Sequence, residues 1–353
     1  MSDEGEFDFI KRIRRQALRR RSRGSAIAHR LSLASHHSTL LSGIGDDAAV
    51  IRQKSGRELV ITTDLLVEEI DFLLERITPR LLGRRALTVS LSDVAAMGAR
   101  PRWSLLSIGL PRAVWDSPFL EEFYEGYFAL AERHGVTLIG GDTSRTPRRV
   151  VVDSILLGET LRGRAVLRSG ARPGDHLFVT GTLGGSAAGL ALLKRGAQLR
   201  PQGAGSSRLM RASEQLVRRH LAPEARVEWG ALLGEERLAS AMIDLSDGLS
   251  SDLAHLCRES GVGASVEAAR IPLDPLINQL FLRGLDPLRL ALDGGEDFEL
   301  LFSVSPRQLR RLPQTVCGIP ATYIGDVTNR AGRVMLREGA RERLLRAAGF
   351  SHF

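Results

Sequence analysis

The stretch GIGDDAAVI (43–51) sets two aspartates, Asp46 and Asp47, side by side after a Gly-x-Gly turn and ahead of an apolar run. Adjacent carboxylates repel, so this pair at the mouth of a strand needs a reason. The same arrangement recurs. Small or hydroxyl residues precede an acid at the end of an apolar strand or within a helix in TTD (62–64), LSD (91–93), IGGD (139–142), IDLSDG (243–248) and DGGED (293–297). Glycine lets backbone approach a ligand closely. Acids at strand ends suit a cleft in an α/β sheet. Any one of these acids alone reads as a turn former or helix cap. Six clusters of one type are expected to converge.

Around them the chain alternates strands and helices. ELVITTDLLVE (58–68), WSLLSIGL (103–110), VTLIGGD (136–142) and RVVVDSILLGET (149–160) read as strands. TPRLLGRRALTVSLSDVAAMGA (78–99) reads as a helix, with Thr78 as cap, Pro79 in the first turn and Gly98 as stop. A second helix is expected from Pro118 to His134. The Arg-, Gly- and Pro-rich segment 162–175 marks a boundary. Beyond it come the strand DHLFVTG (175–181), a glycine turn into a helix (182–196), the strand AMIDLSDG (241–248), the helix LSSDLAHLCRES (249–260) and the strand DFELLFSVS (297–305). Residues 196–207 are expected to form a mobile loop. The expected fold is two-domain α/β (α+β). A basic segment spans 1–42, a first domain 43–162 and a second 163–353.

Bulk properties narrow the function. The chain has 353 residues and 43% hydrophobic content, with no apolar run near the ~18 residues of a membrane span. MSDEGEFDFI (1–10) opens acidic, without a signal-peptide core, and the two cysteines, Cys257 and Cys317, lack metal-type spacing. A cytoplasmic location is expected. The net charge is +8, yet only Lys11, Lys54 and Lys194 are lysines, and none completes a GxxxxGK phosphate loop. The basic run KRIRRQALRRRSRG (11–24) has no interleaved aromatics and reads as a solvated helix face. Neither a membrane nor a nucleic-acid partner is expected. The alternative, an Arg-rich RNA binder on a degenerate enzyme fold, conflicts with the carboxylate set.

A site with this much negative charge would push its own carboxylates toward protonation. Hard cations with oxygen ligands solve that, and Mg²⁺ takes carboxylates, waters and substrate phosphates together. The eight histidines are scattered and give no zinc spacing. Carboxylates, Mg²⁺ and glycine turns point to phosphoryl transfer.

At this point GIGDDAAV, TTDLLVE, LSDVAAMGA, LIGGDTS, RSGARPGD, IDLSDGL and GGEDFEL stand in an order that resembles the thiamine-monophosphate kinases, a family of the AIR-synthase-like (PurM-like) ATP-binding superfamily. The likeness runs from GEFDFI (5–10) to GFSHF (349–353). It implies ATP-dependent phosphorylation of thiamine monophosphate to thiamine diphosphate, the last step of that cofactor's biosynthesis. It also implies a homodimer whose N-terminal domains form a barrel, and several Mg²⁺ per site. By resemblance Asp47, Thr62, Thr63, Asp64, Asp93, Asp142, Asp244 and Asp247 are metal ligands. His134, Gly141, Asp142, Arg168 and Ser246 meet ATP, and Asp71, Glu296 and Phe350 meet the organic substrate. The chain departs from the family at Asp71, where relatives often place histidine before the phenylalanine. Another enzyme of the superfamily, of the aminoimidazole ribonucleotide synthetase type, is the alternative. No covalent nucleophile is expected: a phosphomonoester with a second pKa of ~6 is already a nucleophile at neutral pH.

Overall fold

The structure is a computed structural model and describes residues 40–42, 46–53, 56–199, 207–280 and 284–350. The basic run 11–24, the turn residues 43–45 and most of the expected loop at 196–207 lie outside the described residues.

The first half contains β1 (Leu40–Ser42), β2 (Ala49–Arg52), β3 (Arg57–Val67), α1 (Pro79–Ala96), β4 (Arg100–Leu110), α2 (Arg112–Trp115), α3 (Phe119–His134), β5 (Thr137–Arg145) and β6 (Val151–Leu161). Its sheet has the order β1-β2-β3-β6-β4-β5, antiparallel except for β4 with β5. Period-two alternation decides the faces. Val60, Thr62 and Leu66 of β3, and Val152, Ser154 and Leu156 of β6, are buried. The other face keeps Leu65 60% and Trp103 36% exposed.

Helix α1 forms as its sequence dictates. Thr78 is extended and its hydroxyl accepts the Leu81 N–H at 3.3 Å, Pro79 occupies the first turn, and Gly98 leaves the helix at φ +66°. Gly158 lets the helix lie close to β6; a Cβ there would sit 2.6 Å from Val94.

The second half contains β7 (His176–Thr180), α4 (Gly185–Lys194), α5 (Arg208–Leu221), α6 (Val227–Glu235), β8 (Ala239–Asp244), α7 (Leu249–Ser260), β9 (Gly263–Glu267), α8 (Pro275–Gln279), α9 (Pro287–Asp293), β10 (Leu300–Val304), β11 (Thr315–Val316), β12 (Ile319–Thr328), β13 (Val334–Glu338) and β14 (Arg341–Leu344). Its sheet runs β14-β13-β9-β12-β7-β10-β8, with β11 paired to β12. Leu177, Val179, Ile243 and Leu301 pack on one side with Leu253 and Leu256 of α7. Met242, Leu300 and Phe302 face the other way and join a core that includes Leu82, Leu91 and Val94 of α1 and Trp229 of α6. Helix α1 is therefore core to both halves, and whatever its surface carries is positioned against both sheets.

Candidate active site

Three elements bring acids together. Thr62 and Asp64 are alternate residues of β3 and share its α1-facing side. The Thr62 hydroxyl donates to the Asp93 carboxylate of α1, and also to the Asp47 carbonyl at 3.3 Å. Ser90 donates to Asp64 at 2.7 Å, and Ser92 donates to Asp244, the last residue of β8, at 2.6 Å. Serines on α1 thus hold one acid from each sheet. Asp47, Asp93 and Asp244 each offer an oxygen, and these oxygens all lie within 4.8 Å of one another.

Such a cluster is electrostatically costly. Burial, reinforced by Asp64, Asp244 and Asp47, holds Asp93 well above the usual carboxylate range. Burial and then Asp47 do the same to Asp244. Asp64 is pushed up to about 6 by burial, with Asp153 and Asp47 adding to it. Arg168 brings positive charge: its Nη2 and Nε donate to the two Asp47 oxygens at 2.6 and 3.2 Å. Its backbone N–H donates to Asp46 at 2.8 Å, and Ser42 donates to the same carboxylate. The two adjacent aspartates therefore diverge. Asp46 ties the strand mouth to the inter-sheet segment, and Asp47 faces the cluster. A largely enclosed all-oxygen donor set of crowded carboxylates fits a hard divalent cation.

The cluster opens into a cavity of about 550 Å³ bordered by Asp64, Asp93, Asp244, Ser246 and Asp247 and, from other segments, by Asp71, Glu296 and Phe350. Apolar residues including Ile70, Leu73, Val89 and Leu193 complete much of the wall. Glu296 has φ +57° and its N–H donates to the Ser246 carbonyl at 2.7 Å. Burial would raise its pKa, but Arg85 and His220 overcome that and lower it to about 2. Its neighbour Asp297 accepts N–H groups of Gly184 and Ser186 at 2.7 and 3.1 Å, fixing the start of α4 against this wall.

Residues 45–160 match the AIR synthase related protein N-terminal domain, and residues 172–337 match the corresponding C-terminal domain. The thiamine-monophosphate kinase of Salmonella typhimurium is 41% identical over 81% of this chain and 84% of its own length. The solved thiamine-monophosphate kinase of Stenotrophomonas maltophilia superposes with a TM-score of 0.72 at 38% identity, over 86% of this chain and 92% of that one. The chain belongs to the thiamine-monophosphate kinase family. AaThiL complexed with AMPPCP and TMP superposes with a TM-score of 0.76 at 31% identity, covering 100% of this chain and 98% of that one. The comparisons favour this family over the aminoimidazole ribonucleotide synthetase alternative.

Within this thiamine-monophosphate kinase framework, the remaining expected residues fall in different places. The Thr63 hydroxyl is on the opposite face of β3 from Thr62 and donates to Asp153 at 2.6 Å, so the structure does not bring that side chain to the cluster. Gly141 and Asp142 lie on the exposed edge strand β5, and the Asp142 carboxylate accepts the Thr143 N–H at 2.9 Å. Glycine is required at 141, where a Cβ would sit 1.9 Å from the Leu106 carbonyl oxygen. His134 is the last residue of α3 and does not border the cavity; burial, then Arg133, lowers its pKa. Arg168 engages Asp47. Asp71 borders the cavity, but one carboxylate oxygen accepts the Val67 N–H at 2.7 Å and closes a turn. Phe350 is 50% exposed at the cavity wall, its N–H donating to the Asp247 carbonyl at 3.1 Å. The N–H groups of Asp247 and Gly248, at the start of α7, are received by Asp252.

Sequence reasoning missed Arg85, Ser90, Ser92 and His220. Arg85, Val89 and Asp93 repeat every four residues on α1 and all border the cavity. Counting back along that face from Asp93 would have found Arg85.

Proposed function

We propose that this chain transfers the γ-phosphoryl group of ATP to thiamine monophosphate, giving thiamine diphosphate and ADP, with Mg²⁺ as its metal. The observation carrying this reading is that Asp93 and Asp244, from the acid cluster, border the same cavity as Glu296 and the apolar wall. One chamber thus offers a metal–phosphate region and a region for a cationic, ring-bearing molecule. The relative that holds AMPPCP with TMP supports the same substrate pair.

Asp47, Asp93 and Asp244, with Asp64 beside them, would hold Mg²⁺, which when bound offsets the repulsion between donor and acceptor phosphates. Arg168 supplies fixed positive charge beside Asp47. The ionised Glu296 complements the positive charge of the organic substrate, and the apolar wall with Phe350 packs its rings. No general base is required, because the acceptor oxygen belongs to a phosphate that is mostly dianionic at neutral pH. The histidine on the cavity wall, His220, has its Nδ1 shared between Ser186 at 3.1 Å and Glu296 at 3.2 Å. In-line transfer without a phosphorylated enzyme follows.

The assembly we infer is a homodimer in the cytoplasm. The outer face of the first sheet and its edge expose Leu65, Trp103, Ile139 and Leu161 at 60, 36, 56 and 48%, an apolar surface suited to a second copy. No helix among the described residues is long and apolar enough to cross a membrane. We place the working boundary as expected, with 43–162 carrying most metal ligands, 163–353 carrying Glu296 and Phe350, and 1–42 as a basic segment.

The test uses γ-labelled ATP, Mg²⁺ and thiamine monophosphate with the purified chain. Label is expected in thiamine diphosphate and none on protein after acid quench. Consumption of ATP without thiamine diphosphate would overturn the substrate assignment, and labelled protein would overturn direct transfer.

A further inference from the structure

Arg85 is a buried cation at the cavity wall that the chemistry above does not use. It is 1% exposed. Its Nη2 donates to Glu296 Oε1, its Nη1 donates to the His220 carbonyl at 2.6 Å, and Nη2 lies 3.5 Å from the Asp71 carbonyl. One guanidinium therefore ties three wall segments together: the turn after β3, the end of α5, and the GGED loop ahead of β10. Among the described residues its Nε has no hydrogen-bond partner. An unpaired buried donor is unfavourable, and buried ion pairs are often no more stabilising than apolar groups of equal volume. Fold stability is thus a poor reason for a guanidinium here.

Its geometry suggests another reason. Both oxygens of Glu296 are held: Oε1 by Arg85, and Oε2 by His220 Nδ1 at 3.2 Å. The backbone of Glu296 is in the left-handed region, after Gly295 at φ +63°, so the residue sits in a conformation its neighbours must maintain. Arg85 stands eight residues before Asp93 on the same helix face, an axial separation of about 12 Å. The same rigid helix thus references the acid cluster through Asp93 and the organic-substrate wall through Arg85.

We propose that Arg85 is a positioning residue for the acceptor: it fixes the Glu296 carboxylate relative to the acid cluster and so sets where the organic part of the substrate sits when its phosphate is at the metal site. This rests on the reading of the cavity given under Proposed function. Arg85 acts through Glu296.

The test compares wild type, Arg85→Met, Arg85→Lys, Glu296→Gln and the Arg85→Met/Glu296→Gln double variant. KM for thiamine monophosphate, KM for ATP, kcat and melting temperature are measured for each. Arg85→Met is expected to raise the acceptor KM about tenfold or more, since displacing an oriented group by ~1 Å can cost as much as 100-fold. The KM for ATP should stay within about twofold, because ATP does not depend on Glu296. Arg85→Lys keeps the charge but cannot bridge the same acceptors, so its acceptor KM should lie between those of wild type and Arg85→Met. The double variant should be no worse than Glu296→Gln alone.

An unchanged acceptor KM in Arg85→Met would overturn the assignment, as would losses that multiply in the double variant. If Arg85→Met does not fold, a wild-type acceptor KM in Arg85→Lys overturns it and an intermediate one supports it. Wild type failing to phosphorylate thiamine monophosphate would instead overturn the proposed function itself. Active wild type with indifferent Arg85 variants would overturn only this inference.

Discussion

Asp93→Asn is expected to lower phosphoryl transfer by at least about 100-fold while raising the melting temperature of the metal-free protein. The two effects share one cause. Asp93 is half-buried beside the buried Asp47 and Asp244, with oxygens of all three within 4.8 Å of one another. At that distance and an effective dielectric of 20, each ionised pair repels by on the order of 3 kcal/mol. Removing one charge relieves the metal-free fold and removes a ligand from the proposed metal site. Losing a single group that stabilises transition-state charge costs roughly 100- to 1,000-fold in other enzymes. Asp244→Asn should behave alike, since Ser92 can still donate to the remaining amide oxygen.

The same cluster gives a pH dependence with a definite sign. Asp64 has a folded pKa of about 6 against an ordinary 3.8, and burial with the neighbouring carboxylates raises Asp93 and Asp244 as well. Between these values the folded state binds more protons than the unfolded one, so stability falls as pH rises. In chelator, the melting temperature should therefore decline as pH is raised from about 4 through about 6 and beyond, apart from other titrations. Mg²⁺ should flatten that decline in wild type and do so much less in Asp93→Asn. Calorimetry across pH, with and without Mg²⁺, checks both. Equal responses to Mg²⁺ in the two proteins would remove Asp93 from the metal site.

Much of this was legible in the sequence because it depends on local rules. Thr78, Pro79 and Gly98 bound α1, and the apolar alternation in ELVITTDLLVE predicts β3. The acidic motifs converge: Asp64, Asp71, Asp93, Asp244, Ser246, Asp247, Glu296 and Phe350 share one cavity. The Thr63 hydroxyl points away from the cluster for a simple reason. TTD reads as a unit in the sequence, whereas a strand sends consecutive side chains to opposite faces. His134 and the Gly141–Asp142 pair do not border that cavity, because the end of α3 and an edge strand are set by sheet order, which acid motifs do not encode. The proximity of Asp47 and Asp244 is of the same kind: one lies in the bend before β2 and the other ends β8, and they meet only because α1 packs against both sheets. Arg85 is hidden in the sequence because it belongs to no acidic motif and its partners, Glu296 and His220, are far away in the chain.

That dependence on α1 leads to the second large effect. Gly126→Ala is expected to destabilise the fold by about 3 kcal/mol or more, although it adds one methyl group. A Cβ at 126 on α3 would lie 1.8 Å from the Arg80 carbonyl oxygen of α1. Reciprocally, a Cβ at Gly83 on α1 would lie 1.9 Å from the Phe123 carbonyl oxygen of α3. Each glycine faces the other helix's backbone, so no side-chain rotamer change can relieve the contact. The helices must separate, and overpacking a core commonly costs about 1–3 kcal/mol even where side chains can adjust. The separation also moves Arg85 and Asp93, which lie on the displaced helix, so the folded fraction should lose kcat as well as stability. Gly135→Ala is the useful contrast. A Cβ at 135 would meet no atom within 4 Å, so only φ +64° at the end of α3 opposes it, and the change should cost on the order of 1 kcal/mol with kcat unchanged. Melting temperature and kcat per folded molecule for both variants decide the matter. If Gly126→Ala melts and turns over as Gly135→Ala does, the backbone contact between α1 and α3 does not position the site.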